Sequence, residues 1–219
     1  MTYSRTQPSP RHLAMLDQYR HLHREGEKFL GLDAEHTYPG VSLLPHVRRI
    51  KRLIDLTGAE RLLDYGCGKG YQYTPGAIRA GDFGGADNVL DFWDILEVDC
   101  YDPCYERFST LPSGVLYDGV ISSDVLEHCV EEDLPWITAE IFGFATKFVY
   151  ANVACYPAKT RLPNGENAHC TVKPVEWWQE LLIPLAAKRP ELIWEIWVQW
   201  KSPDDPAAPV TEQKIGNSP

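Results

Sequence analysis

The chain has 219 residues, of which 44% are hydrophobic and 24% charged, and its formal net charge is −10. These values are typical of a globular protein with one substantial core, and the acidic balance disfavours nucleic acid as a partner, since proteins that bind it usually present basic surfaces. The first residues lack the apolar stretch of a signal peptide and no long apolar run follows, so we expect a cytoplasmic protein that does not cross a membrane.

Two amphipathic helices are predicted before the first strand. Apolar residues have helical spacing from Pro10 to Glu25 and stop at Gly26, and a second helical pattern follows and ends before Gly58. We therefore predict an N-terminal extension over residues 1–40, whose helix covers the functional site, and a main domain over 41–200. The region 201–219 is rich in Pro, Asp and Ala, and we predict a disordered tail there.

From Arg61 onward, short apolar segments alternate with helical ones. Strands are predicted over 61–64, 95–101, 117–122, 148–153 and 191–200, with helices over 131–144 and 174–187. This alternation predicts an α/β fold with a doubly wound, mostly parallel Rossmann-like sheet that carries helices on both faces.

A glycine-rich turn, Asp64-Tyr-Gly-Cys-Gly-Lys-Gly70, follows the first of these strands. Glycines let a ligand lie against the main chain at the end of a strand. A P-loop is excluded because Lys69 is followed by Gly70, and a dinucleotide dehydrogenase would need glycine where Tyr71 stands. The turn therefore favours a different nucleotide-like ligand, and a purely structural glycine turn remains an alternative.

An acidic residue ends the second strand of the sheet. Asp102 precedes Pro103, and a carboxylate at this point can accept hydrogen bonds from both hydroxyls of a ribose. Asp99 is the competing carboxylate, and we prefer Asp102 because the proline marks the end of the strand.

Four segments occur in the order found in one enzyme family: Leu63–Gly70, Val98–Pro103, Tyr117–His128 and His169–Trp178. With them, residues 40–190 resemble class I S-adenosylmethionine (SAM)-dependent methyltransferases of the small-molecule type, in a bacterial or phage branch. The interval from Asp102 to Tyr117 is too short for the helix and third strand usual in that family.

That short interval predicts a reduced set of strands, with residues 108–112 as a remnant and adenine contacts near Phe108, Ser109 and Thr110. The antiparallel seventh strand of the family is expected to be missing or displaced.

The resemblance implies a set of functional residues for SAM and for the methyl acceptor. Those implied for the cofactor are Asp64, Gly66, Gly68, Gly70, Asp102, Ser123 and Asp124. Tyr71 and Tyr73, directly after the glycines, are candidates for contact with the substrate.

Three residues are candidates for catalysis, since a base is needed when the acceptor atom carries a proton. His169 lies in a polar loop of the kind that folds over active sites and is the first choice, followed by His128 and Glu127. The alternatives are a packed or surface histidine and, for Glu127, a carboxylate at the start of a helix.

A metal centre is not predicted, because Cys100, Cys104, His128 and Cys129 lack a second pair with ligand spacing. The predicted function is transfer of a methyl group from SAM to O or N of a small molecule. The alternatives are a SAM-binding sensor or scaffold subunit without turnover, a dinucleotide oxidoreductase or sugar-modifying enzyme, and a nucleic-acid or protein methyltransferase. The oligomeric state is left open.

Overall fold

The computed structural model describes residues 3–78, 82–202 and 209–219. In these residues one sheet contains six strands in the order β2-β1-β3-β4-β5-β6. The first five are mutually parallel, and the last runs antiparallel to β5 at the sheet edge. The strands are β1 Leu62–Tyr65, β2 Val98–Tyr101, β3 Tyr117–Ser123, β4 Ala145–Ala154, β5 Ile193–Trp200 and β6 Thr211–Gly216.

Helices cover both faces of the sheet. They are α2 Val47–Thr57 and α3 Val89–Trp93 on one face and α4 Leu134–Phe144 and α5 Val175–Ala186 on the other. Helix α1 Pro10–Glu25 packs in a separate hydrophobic cluster with Cys104 and Val130, which follow β2 and β3. Because successive strand residues face opposite sides, Leu62 packs with α2 and α3 while Leu63 packs with α4 and α5. The predicted α/β class, with a mostly parallel Rossmann-like sheet and a reduced set of strands, is confirmed.

Helix α1 has sequence signals at both ends. Ser9 accepts a hydrogen bond from the backbone N–H of His12 (3.0 Å), Pro10 occupies the first turn, and Gly26 ends the helix with φ +84°. The segment before it is held by Arg5, which forms an ion pair with Glu140 on α4. The N-terminal extension is therefore packed on the main domain.

Two sequence expectations about the strands need correction. Residues 106–108 form a short 3₁₀ helix and no strand lies between β2 and β3, so the proposed strand remnant over 108–112 is wrong. The prediction of a disordered tail over 201–219 is also wrong in part. Residues Thr211–Gly216 pair with β5, and Ile215 is buried opposite Ile196. The rest of the predicted tail includes residues 203–208, which lie outside the described residues.

Within the described ranges, none of the helices has both the length and the apolar character that a bilayer crossing requires.

Candidate functional site

The glycine turn lies at the point where the sheet changes its winding direction. Strand β1 has β2 on one side and β3 on the other, and ligands of open α/β sheets bind at the carboxyl ends of such strands. A Cβ added to Gly66 would lie 2.3 Å from the Val125 side chain. The chain after β3 therefore approaches the turn as closely as a glycine allows.

The N-terminal extension also packs against this turn. Gly68 has φ +60°, and a Cβ there would lie 2.4 Å from the backbone oxygen of Tyr38. Lys69 donates its backbone N–H to the same oxygen (3.0 Å) and its Nζ to the backbone oxygen of Thr37 (2.5 Å). Gly68 and Lys69 thus hold the N-terminal extension against the glycine turn, Gly68 by close packing and Lys69 by hydrogen bonds.

Asp102 lies beside the turn at the end of β2 and is 8% exposed. Its Oδ2 accepts the backbone N–H of Gly68 (3.0 Å) and its Oδ1 that of Cys104 (2.8 Å). Burial raises the pKa of this carboxyl to about 6, against the opposing effect of these N–H donors. Asp99, the competing carboxylate, accepts a hydrogen bond from the Tyr117 hydroxyl (2.5 Å) and does not line the cavity described next.

A cavity of about 620 Å³ extends across these strand ends, a size typical of small-molecule sites. Its wall combines the ends of β1, β2 and β3 with helix α1, which contributes Met15, Leu16, Tyr19 and His23. The predicted cofactor residues that line it are Gly66, Gly68, Asp102, Ser123 and Asp124.

Two of the predicted cofactor residues, Asp64 and Gly70, lie outside the cavity wall. Asp64 is buried under the turn, where its Oδ2 accepts hydrogen bonds from Gln72 Nε2 (3.0 Å) and the Tyr73 hydroxyl (2.8 Å). Burial raises the pKa of this carboxyl to about 7. Gly70 packs against the ring of Phe108. Asp64 and Gly70 therefore stabilise the glycine turn through contacts on the side that faces away from the cavity.

Neither of the predicted substrate contacts, Tyr71 and Tyr73, lines the cavity. Both lie in the 3₁₀ turn Tyr71–Tyr73, which directs the Tyr73 hydroxyl to Asp64 and its ring towards Trp93. The adenine contacts expected near Phe108, Ser109 and Thr110 are likewise absent from the cavity wall.

Polar side chains follow β3 at the far side of the turn. Asp124 has φ +52°, a backbone conformation that costs energy for a residue with a Cβ. Its carboxylate accepts a hydrogen bond from Asn152, whose amide oxygen accepts the Ser123 hydroxyl (2.6 Å). Burial raises the pKa of Asp124 to about 6.

The three predicted catalytic residues come together. One ring nitrogen each of His128 and His169 and a carboxylate oxygen of Glu127 all lie within 4.8 Å of one another. The two histidines line the cavity, while Glu127 is fully buried and its Oε1 accepts the backbone N–H of Ala154 (2.9 Å). Burial raises the pKa of Glu127 well above its ordinary value.

Backbone carbonyls orient both imidazoles. His128 Nδ1 lies 3.0 Å from the oxygen of Ala168 and His169 Nδ1 lies 2.6 Å from that of Tyr156. The Tyr19 hydroxyl also lies 3.0 Å from His128 Nδ1, but it donates its proton to the Ala168 oxygen. Since a carbonyl only accepts, the tautomer with the proton on Nδ1 satisfies these contacts in both rings and leaves each Nε2 as an acceptor. Burial lowers the pKa of His128 to about 3, with a further contribution from His169, and burial also lowers the pKa of His169. Both rings are therefore neutral near pH 7.

Several residues of the cavity wall carried no recognisable signal in the sequence. Arg5 donates hydrogen bonds to the hydroxyls of Tyr65 (2.9 Å) and Tyr101 (3.0 Å) at the ends of β1 and β2. Tyr19 donates its hydroxyl to the backbone oxygen of Ala168 (2.5 Å) beside His128. These contacts join segments far apart in the chain, so no local pattern could have revealed them.

Comparisons with protein-family models, with curated proteins and with solved structures give no match.

Proposed function

We propose that this protein is a SAM-dependent methyltransferase that transfers a methyl group to an oxygen or nitrogen of a small molecule. The observation that carries the proposal is one cavity bordered by the Gly66–Gly68 turn, Asp102 and Asp124 at three adjacent strand ends. These are the positions at which the sequence resembles the family, and they meet where an open α/β sheet binds its ligand.

Asp102 is suited to hold the ribose of SAM. A carboxylate offers about four acceptor positions, and backbone N–H groups occupy one on each oxygen. The remaining positions can accept two vicinal hydroxyls. The same N–H contacts fix the carboxylate against Gly68, so ribose and methionine parts would lie side by side along the turn.

SAM supplies a methyl group on a sulfonium, which is already electrophilic. The protein's task is then to hold the acceptor in line with the methyl and to exclude water. His128 and His169 present Nε2 as a proton acceptor on the wall of the same cavity. They are the candidates to receive a proton from the acceptor, with His169 ahead of His128, because burial makes His128 a weak base.

A small acceptor is favoured by the form of the site. Helix α1 and residues 38–42 form part of the wall of a cavity of about 620 Å³, and the net charge of −10 is unsuited to a phosphate backbone. A macromolecular substrate would have to enter past α1.

Calorimetric titration with SAM tests the cofactor assignment. We expect Asp102→Asn to weaken binding by roughly ten- to a hundredfold, or about 1.4–3 kcal/mol, because the lost carboxylate accepts the ribose hydroxyls. Asp99→Asn is the matched control, since it removes a carboxylate from the same strand outside the cavity. Equal affinity of both variants and the parent would contradict the assignment.

Turnover is tested separately from binding. Protein incubated with SAM and fractions of small metabolites should release S-adenosylhomocysteine, detected by mass spectrometry, and the Asp102→Asn variant should release less. SAM binding without release in any fraction would favour a sensor or scaffold subunit. Thermal stabilisation by NAD in place of SAM would favour the oxidoreductase alternative.

A further inference from the structure

We propose that Glu127, His128 and His169 form a binding site for a divalent transition-metal ion at the wall of the cavity. Their ligand atoms lie within 4.8 Å of one another, and they come from two separate loops, after β3 and after β4. Two imidazoles and one carboxylate are a ligand set found in catalytic zinc and non-haem iron centres.

The two histidines are oriented as metal ligands usually are. A ligating imidazole generally donates its other ring N–H to a carbonyl or carboxylate, which fixes the tautomer and the ring direction. His128 donates to Ala168 and His169 to Tyr156 through Nδ1. The rings stand nearly perpendicular, at 87°, with centroids 4.8 Å apart, and because each Nδ1 faces a carbonyl, Nε2 is the nitrogen that each ring has left for an ion.

The carboxylate of Glu127 provides an independent indication of a cation site, because one of its oxygens lacks a partner in the described part of the chain. Its side chain is fully buried, and Oε2 has no hydrogen-bond partner among the described residues. A buried carboxylate oxygen without a partner is costly in free energy. A cation between Glu127 and the histidines would give Oε2 a partner and balance its charge.

The ligand types select the class of ion. Magnesium and calcium prefer oxygen ligands alone, whereas two imidazoles favour zinc, iron, cobalt, nickel or copper. Bonds of about 2.1 Å to a tetrahedral ion would place the ligand atoms about 3.4 Å apart, so atoms that now lie up to 4.8 Å apart must approach by up to about 1.4 Å on binding. Since the histidines line the cavity, the open coordination position faces the cavity interior.

The ion suggests a class of acceptor, an inference that rests on the methyltransferase proposal. A hydroxyl oxygen bound to the ion has a lowered pKa. With both Nε2 atoms bound to the ion, the histidines no longer act as the base, and the ion takes over the role of activating the hydroxyl. The hydroxyl proton leaves to solvent, the oxygen forms a bond to the methyl carbon, and the S–CH₃ bond breaks with its electron pair retained by sulfur. The expected acceptor is therefore a small molecule with a hydroxyl that can ligate a metal.

Cobalt titration of the full-length, chelator-treated protein without SAM tests the site. We expect one Co²⁺ per chain by calorimetry, with visible d–d absorption of a nitrogen and oxygen ligand set. Glu127→Gln and His169→Gln should each weaken binding at least tenfold. His46→Gln is the matched control, because His46 is also buried but bonds to the Tyr150 hydroxyl away from the cavity.

Three results would overturn the site: no cobalt binding, equal affinity in both variants and the parent, or thiolate charge-transfer bands that place the ion on cysteines. Magnesium competing equally with cobalt would overturn the ion class. If Glu127→Gln does not fold, as judged by circular dichroism, His169→Gln decides alone. The measurement uses no SAM, so cobalt binding without SAM affinity would contradict only the methyltransferase proposal, and SAM affinity without cobalt binding only the metal site.

Discussion

At the scale of single residues, two glycines with the same backbone angle have different surroundings. Gly58 and Gly68 both have φ +60°, but a Cβ at Gly58 meets no atom within 4 Å while one at Gly68 lies 2.4 Å from Tyr38 O. Gly58→Ala should cost about 1 kcal/mol for the left-handed conformation alone. Gly68→Ala should cost about 1–3 kcal/mol more, because the turn and the extension must separate.

Urea denaturation of both alanine variants measures this difference directly. Proteolysis gives a second readout, since Gly68→Ala should expose the chain near Tyr38 to cleavage while Gly58→Ala leaves it protected. Equal losses of stability in the two variants would mean that the extension does not rest on the turn.

The residues of the site were predictable to different degrees. The glycines and Asp102 could be found because their roles follow from backbone position at strand ends, which the apolar pattern locates. The sequence could not show that Tyr71 and Tyr73 lie outside the cavity wall, because the direction of their side chains depends on a short 3₁₀ turn without a sequence signature. The mutual approach of His128 and His169 depends on loop paths between distant strands. The sequence could nominate both residues but could not show that Glu127 joins them.

At the scale of elements, the helix and strand boundaries follow strong local signals. Helix α1 has the predicted limits because Ser9 and Gly26 terminate it. Strand β6 was missed because it contains one buried apolar residue, Ile215, among exposed and half-buried neighbours. Its pairing depends on backbone hydrogen bonds to β5, which composition does not reveal. The short interval before Tyr117 correctly predicted a reduced set of strands, but the strand remnant expected over 108–112 is a 3₁₀ helix and irregular chain.

Strand β6 should contribute measurably to stability. Ile215 is 4% exposed and belongs to the core on the α4 and α5 side of the sheet, so Ile215→Ala should lower the free energy of unfolding by about 2–4 kcal/mol. Gln213→Ala, an exposed position on the same strand, should change it by less than about 0.5 kcal/mol. Thermal and urea denaturation measure both. No effect of Ile215→Ala would indicate that the C-terminal segment is not docked.

At the scale of the whole molecule, buried ionisable groups make stability depend on pH in opposite directions. Burial lowers the pKa of His23 to about 3 and that of His46 to about 4, so their contribution is present above pH 6.5 and is lost as the pH falls. Burial raises the pKa of Asp64 to about 7 and of Asp102 to about 6. Their contribution is present below pH 3.8 and is lost as the pH rises through these values. Buried histidines and buried carboxyls therefore oppose each other between pH 4 and 7.

Asp64→Asn isolates one side of this balance. The folded protein holds a proton on Asp64 that the unfolded chain releases above pH 3.8, so wild type should lose stability relative to the variant by about 1.4 kcal/mol per pH unit up to pH 7. Above pH 7 the difference should level off.

Asparagine keeps an acceptor for Gln72 and Tyr73, and Asp55→Asn, on an exposed carboxylate, controls for the removal of one charge. Denaturation at several values between pH 5 and 8 gives the slope. A difference in unfolding free energy between wild type and Asp64→Asn that does not change with pH would show that Asp64 is ionised throughout this range. The hydrogen bonds that Gln72 and Tyr73 donate to the carboxylate would then stabilise its charged form by more than burial destabilises it.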